Sequence, residues 1–257
     1  MDIFAVIGTF LGIGFILTGQ AMEGGNIGQL LQITAAFIVL GGTTGAIVLS
    51  FPAKTLASAL KYLKDVYMPP KVNFQGLITE VGGFAAKARK EGIIALEKEA
   101  NTASDPLLTL GLGAVADGTD PTLVREMLEN QLNQEEQAVH NAAKVYESFG
   151  GYSPTLGIIG AVLGLIQVMQ NLSDPSKLGA GIAVAFVATI YGLFAANLVM
   201  IPLGTRIKFI YQDVFLYKNM IIEGVLSIQA GESPILIERK LQSFILDDNS
   251  KKDAVNG

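Results

Sequence analysis

Few side chains in this 257-residue chain could carry a reaction. Cysteine is absent, which removes disulfide and thiolate chemistry and fits soluble parts kept in a reducing compartment. The single histidine, His140, falls on the polar side of a helical pattern and reads as a solvated surface residue rather than a ligand. Glycine is plentiful, yet it repeats inside apolar stretches instead of forming a phosphate-binding loop. Nothing here looks like an enzyme, and no cofactor is expected. Three patterns remain. Arg89, Lys90 and Glu97 gather charge around a glycine break. Ser153-Pro154 and Pro202 punctuate apolar stretches. Small residues recur at three or four positions in Gly8 and Gly12, in Gly157, Gly160, Ala161 and Gly164, and in Ala185, Thr189, Gly192 and Ala196. Such stripes let membrane helices approach closely, either within one subunit or against another. One absence matters as much: no Asp or Glu interrupts the apolar stretches. Ion pathways across membranes ordinarily use an intramembrane acid. A chain like this that moves ions must borrow its carboxylate from a partner.

The elements that position these residues follow from composition. Half the residues are hydrophobic and only 16 % are charged, against roughly 25 % in soluble domains. Asp, Glu, Lys and Arg are missing from Ile3 to Met22, Asn26 to Ala53, Ser148 to Ser173 and Leu178 to Thr205. Each stretch is long enough for a span, since about 20 residues at about 1.5 Å each cross the hydrocarbon layer. Asp2 stands where a secretory signal needs positive charge, so the first stretch reads as a retained helix. Short loops join spans one to two and three to four. Of 18 basic residues, ten lie between Lys54 and Lys144 and seven between Arg206 and Lys252. The positive-inside tendency places both groups, and hence both termini, in the cytoplasm. A net charge of −5 without a basic cluster makes nucleic acid an unsuitable partner.

Between the hairpins, Leu77, Ile78, Val81, Phe84, Ala85 and Ala88 share one helical face, and Gly92 breaks the helix. Asp120-Pro121 reads as an N-cap and first helical residue. Val124, Met127, Leu128, Leu132, Val139, Ala142, Val145 and Phe149 then continue a stripe towards span three, as a stem entering the membrane. Ser153-Pro154 has the form of a capped helix start at that span. Beyond span four, Ile207 to Ile228 keep helical spacing until Gly231. Ser233-Pro234 caps a short amphipathic helix through Leu236, Leu241 and Phe244. The expected fold is an all-α membrane protein with four transmembrane helices and a helical cytoplasmic domain built from the loop between spans two and three and the C-terminal tail. The expected divisions are 1–51 and 150–204 as transmembrane hairpins, 52–149 and 205–246 as cytoplasmic helices, and 247–257 as a disordered tail.

On these residues the chain resembles the MotA family of flagellar stator subunits. Span order and spacing agree over nearly the whole length. The run from Ala88 to Glu97 resembles the family's charged cytoplasmic motif. Ser153-Pro154-Thr155-Leu156-Gly157 resembles the start of its third helix, Pro202 matches its second functional proline, and Glu223 to Gly231 resembles its tail signature. The resemblance implies a homopentameric ring in the bacterial inner membrane around two copies of MotB, a single-span subunit carrying the ion-binding aspartate. It further implies that Arg89, Lys90 and Glu97 face the rotor protein FliG, and that Pro154, Ala161, Thr189 and Pro202 line the ion pathway and partner surface. A unit charge falling through 100 mV yields about 2.3 kcal/mol, so weak, releasable charge contacts suit such a motor.

Sodium-driven relatives carry threonine where Ala161 and Ala188 stand, and an aspartate where Gln32 stands. With Thr189 as the remaining hydroxyl, the resemblance implies protons as the coupling ion. A TolQ or ExbB type motor energising the outer membrane is the alternative, although such relatives have three spans. A passive membrane scaffold is another.

Overall fold

Apolar stretches without charge can cross a hydrocarbon layer only if every backbone group is paired internally, which selects helix. The computed structural model describes residues 2–245, and among them every regular element is helical. Among the described residues four helices are long and apolar enough to cross a membrane: Ile3–Met22, Ile33–Ser50, Pro121–Gln170 and Leu178–Gln229. The tail expected from Asp247 onward lies outside the described residues.

The chain divides into two compact units, residues up to 70 with 138–210, and residues 71–137 with those from 211 on. The first holds α1 (Ile3–Met22), α2 (Ile33–Ser50) and α3 (Ala53–Tyr67). Asp2 caps α1, accepting from the Ala5 N–H at 3.2 Å. A capped 3₁₀ turn, Ile27–Leu30, reverses the chain into α2. Tyr191 secures that turn, donating to the Leu30 carbonyl at 2.6 Å and accepting from the Gln32 N–H at 3.1 Å. Pro52, which cannot continue a helix from its N–H, separates α2 from α3. A single row of π-helical turns occurs in α2 at Phe37–Gly41 and another at Ala195–Met200, between α8 (Pro175–Phe194) and α9 (Ile201–Gln229). Tyr146 donates to the Ala59 carbonyl at 2.9 Å, fixing α3 to the stem.

The second unit contains α4 (Phe74–Glu91), α5 (Leu96–Ala100) and α6 (Pro106–Ala116). The α4 face expected from sequence is buried in full. Gly224 of α9 makes this possible, since a Cβ there would stand 2.9 Å from Val81 Cγ1. Likewise Gly111 admits Val225 and Leu128. The helix α7 (Pro121–Gln170) begins as expected, with Asp120 Oδ1 accepting from the Thr122 N–H at 2.8 Å. Gly231, at φ 71, ends the run after α9. Ser233 then caps α10 (Pro234–Gln242), accepting from the Leu236 N–H at 3.3 Å. Of the expected stripe Leu241 is buried, Phe244 is half-buried and Leu236 is exposed, and Ile237 is buried beside Leu241.

Candidate functional site

The small residues of spans three and four form one seam inside the first unit. A Cβ on Gly157 would meet the Ala188 carbonyl oxygen at 2.9 Å, and one on Gly160 would meet Ala188 Cβ at 2.6 Å. A Cβ on Gly164 would lie 2.7 Å from the Gly181 oxygen, and one on Gly192 would lie 2.5 Å from the Ser153 oxygen. Backbone therefore rests on backbone at Gly157, Gly164 and Gly192, and the stripes of spans three and four pack against each other within the subunit. Gly42 of span two joins it, with room there only for the Leu156 side chain. By contrast Gly8, Gly14 and Gly19 of span one face no atom within 4 Å of a built Cβ.

Ser153-Pro154 does not start a helix. It lies inside the 50-residue α7, which runs through it without interruption. At Pro154 the helix gives up one N–H bond, and the proline ring crowds the carbonyl four residues back. The Gly150 carbonyl lacks that donor, while Ile201 packs where a Gly150 side chain would stand. Ser153 caps nothing, and its hydroxyl is buried without a hydrogen-bond partner beside Gly192. Among the predicted pathway residues, Pro154, Ala161 and Thr189 are half-buried, and Pro202 is exposed. Thr189 Oγ1 donates to its own helix at the Ala185 carbonyl, 3.2 Å away. Ala188, one of the two alanines on which the choice of ion rests, is fully buried with Ala35, Val39 and Val187. Its size is set by Gly160 across the seam.

In the second unit, α4 ends at Glu91, and Gly92 takes φ 87, which a residue with a Cβ adopts only under strain. A 3₁₀ turn, Ile93–Ala95, leads into α5. Arg89 and Lys90 occupy the last turn of α4, where helix dipole favours cations; Glu97 occupies the first turn of α5, where it favours anions. All three are exposed, and none enters a salt bridge with another described residue. Ile94, 74 % exposed, stands between them. Lys87 instead pairs with Glu99 at 2.5 Å and holds the turn closed. That hydrogen bond raises the Lys87 pKa above its ordinary value.

Sequence reasoning missed three parts of these sites. Gly181 completes the seam, and its distance from Gly164 across two helices gives no sequence period. Lys87 and Glu99 belong to different helices, so no helical spacing relates them. At the start of span one, Asp2 pairs with Arg206 across 204 positions. The Ala5 N–H first, and Arg206 after it, hold the Asp2 carboxyl below the usual carboxylate range. Asp2 stood out in sequence only as the charge opposite to that of a secretory signal.

Comparison with known proteins adds the following. The profile of the MotA/TolQ/ExbB proton channel family matches residues 99–220, and the motility protein A N-terminal profile matches residues 6–92. Motility protein A of Helicobacter pylori is 32 % identical over 257 residues, covering 100 % of both chains. A chain of the C. jejuni MotAB structure superimposes with a TM-score of 0.89 at 31 % identity, over 96 % of this chain and 97 % of that one. A chain of the flagellar MotAB stator complex from Bacillus subtilis does so at 0.87 and 29 % identity, over 98 % and 99 %.

Proposed function

Because this chain belongs to the motility protein A family of the MotA/TolQ/ExbB proton channels, we propose that it forms a homopentameric ring around two copies of a MotB-like subunit and drives the rotor through FliG. It is a stator subunit of the flagellar motor that uses ion flow, in a multi-pass membrane protein. One observation carries the finer reading. Spans three and four close on each other through backbone and contain no carboxylate, so the titrating acid has to come from a partner helix. The relatives named MotAB support a MotB-like partner for it.

In this reading the four spans place both termini in the cytoplasm, residues 52–149 and 205–246 form the cytoplasmic part, and Arg89, Lys90 and Glu97 touch the rotor. Pro154, Ala161, Thr189 and Pro202 belong to the ion pathway and the partner surface. Protons are the coupling ion. Stripping sodium of water without replacement oxygens is heavily penalised, whereas protonating a carboxylate removes its charge. Ala161 supports this choice. Ala188 bears on it less, since its side chain is fixed by packing.

Copurification with the MotB-like partner, followed by proton flux in vesicles, tests the assembly. Swimming should persist without sodium and stop with a protonophore. Rotation that tracks external sodium at constant proton-motive force would overturn proton coupling, and failure to copurify would overturn the complex.

A further inference from the structure

Helix α3 begins just after span two and returns to the start of span one. Ser50 closes α2, Pro52 turns the chain, and the 15 residues Ala53–Tyr67 reach about 22 Å. At the far end the Tyr67 carbonyl accepts from the Asp2 N–H at 2.8 Å, and the Tyr67 and Thr9 hydroxyls lie 3.4 Å apart. Spans one and two are a hairpin, so the start of the first and the end of the second share one membrane boundary, and α3 is held at both. Its axis therefore runs along that boundary instead of away from it. The buried side of the helix is Ala59, Tyr62 and Val66, where the Ala59 carbonyl takes the Tyr146 hydroxyl bond of the stem. The opposite side carries every exposed residue of the helix: Ala53, Lys54, Ala57, Leu60, Lys61 and Lys64, each of them basic or apolar. Leu60 stands 71 % exposed among the three lysines. Asp65, the one acid in α3, is half-buried and off this face. The Lys61 ammonium lies 5.9 Å from the Tyr62 ring centroid, at the outer edge of a cation–π contact, which leaves its charge open to another partner.

We propose that this face of α3 lies in the headgroup layer and recruits anionic phospholipids, with Lys54, Lys61 and Lys64 meeting their phosphates and Leu60 their upper acyl chains. Position, charge and apolar content agree on that occupant. A face that runs along the boundary and looks away from the bundle has lipid beside it. Lysines at such a surface attract anionic headgroups, and their long stems keep methylenes in hydrocarbon while the ammonium reaches the phosphate. A large apolar side chain among cations suits the interface and is wasted in open water. The proposal rests on the reading of this unit as membrane-embedded, which resistance of the chain to alkaline extraction checks separately.

The chain has no cysteine, so Ala57→Cys on the exposed face takes a single fluorophore. The labelled chain, in complex with a cysteine-free form of its partner, is reconstituted in phosphatidylcholine vesicles that contain a minor share of brominated lipid. Brominated phosphatidylglycerol should associate with the label about fivefold more strongly than brominated phosphatidylcholine, the fold-change expected from one lysine at an anionic surface. The preference should fade in about 1 M salt, where the screening length falls to about 3 Å. Replacing Lys54, Lys61 and Lys64 together by glutamine should abolish it while the complex still assembles, and replacing all three by arginine should keep it. Equal quenching by both lipids in wild type overturns the proposal, since the face would then touch lipid without choosing it. Quenching by neither lipid overturns it too, because protein would cover the face; so does a complex that comes apart in the glutamine variant, which would assign the lysines to a neighbouring copy. A preference that survives in the glutamine variant places the recruiting charge elsewhere and equally overturns it. If alkaline treatment extracts the wild type, the membrane reading itself fails; if it does not, any of these results removes only the role of α3.

Discussion

Gly192 and Gly8 make a matched pair of residues, the same type in two apolar helices, one on the seam and one off it. Gly192→Ala places a methyl 2.5 Å from a backbone oxygen, which no rotamer change relieves. It should destabilise the subunit by about 1–3 kcal/mol. Gly8→Ala enters open space in a helix and should be neutral or gain up to about 1 kcal/mol. Thermal unfolding of the purified complex, followed by circular dichroism, separates the two outcomes; equal effects would mean that the seam does not bear on stability. The period of the small residues was visible in sequence, but the choice between packing within a subunit and facing a partner was not, because it depends on which helix stands opposite. Arg89 and Glu97 were legible as a charged break around Gly92. Here Arg89→Glu should reduce swimming speed in soft agar, with partial recovery from a compensating charge on the rotor. Unaltered torque after neutralising Arg89, Lys90 and Glu97 together would leave them as a solvated surface that serves only the helix dipoles.

At the level of elements, local signals were legible wherever they were local in fact. The caps at Asp120 and Ser233 and the breaks at Gly92 and Gly231 each act within four residues of their position. Ser153-Pro154 misled because the same pair of residue types opens a helix or is carried inside one, and only the continuous packing of α7 against Gly192 decides. The ends of two helices are tied by charge, α1 through Asp2 and Arg206, α10 through Lys240 with Glu223 at 2.5 Å and Glu232 at 3.3 Å. The hydrogen bond to Glu223 in the first place raises the Lys240 pKa. A lowered acid stabilises the fold above its ordinary value, 3.8, and loses that contribution as pH falls through its folded value. A raised lysine stabilises below 10.5 and loses its contribution as pH rises through its folded value. Both ties therefore hold throughout the interval between those values. Wild-type melting temperature less that of Asp2→Asn, or of Lys240→Met, should be constant from about pH 5 to pH 9, and a difference that changes within that interval would show the ties to be misassigned.

For the molecule as a whole, the four charge-free stretches were the strongest signal in the sequence, since no soluble core needs so many consecutive apolar residues. How the intervening helices divide between two units was not legible, because it depends on contacts between residues far apart in the chain. The chain has no cysteine, so single-cysteine labelling is free of background. Lys64→Cys and Gln131→Cys should react only after the cells are opened, and Ser173→Cys should react from outside; the reverse pattern would invert the orientation. The glycine seam also has a genetic consequence. Every missense change available to a glycine codon, in one nucleotide step or several, adds at least a Cβ, so Gly157, Gly160, Gly164, Gly181 and Gly192 have no harmless neighbour in the genetic code. A library of variants selected for swimming should therefore return these five codons unchanged except for synonymous alleles, drawing along the gene the line where two helices touch.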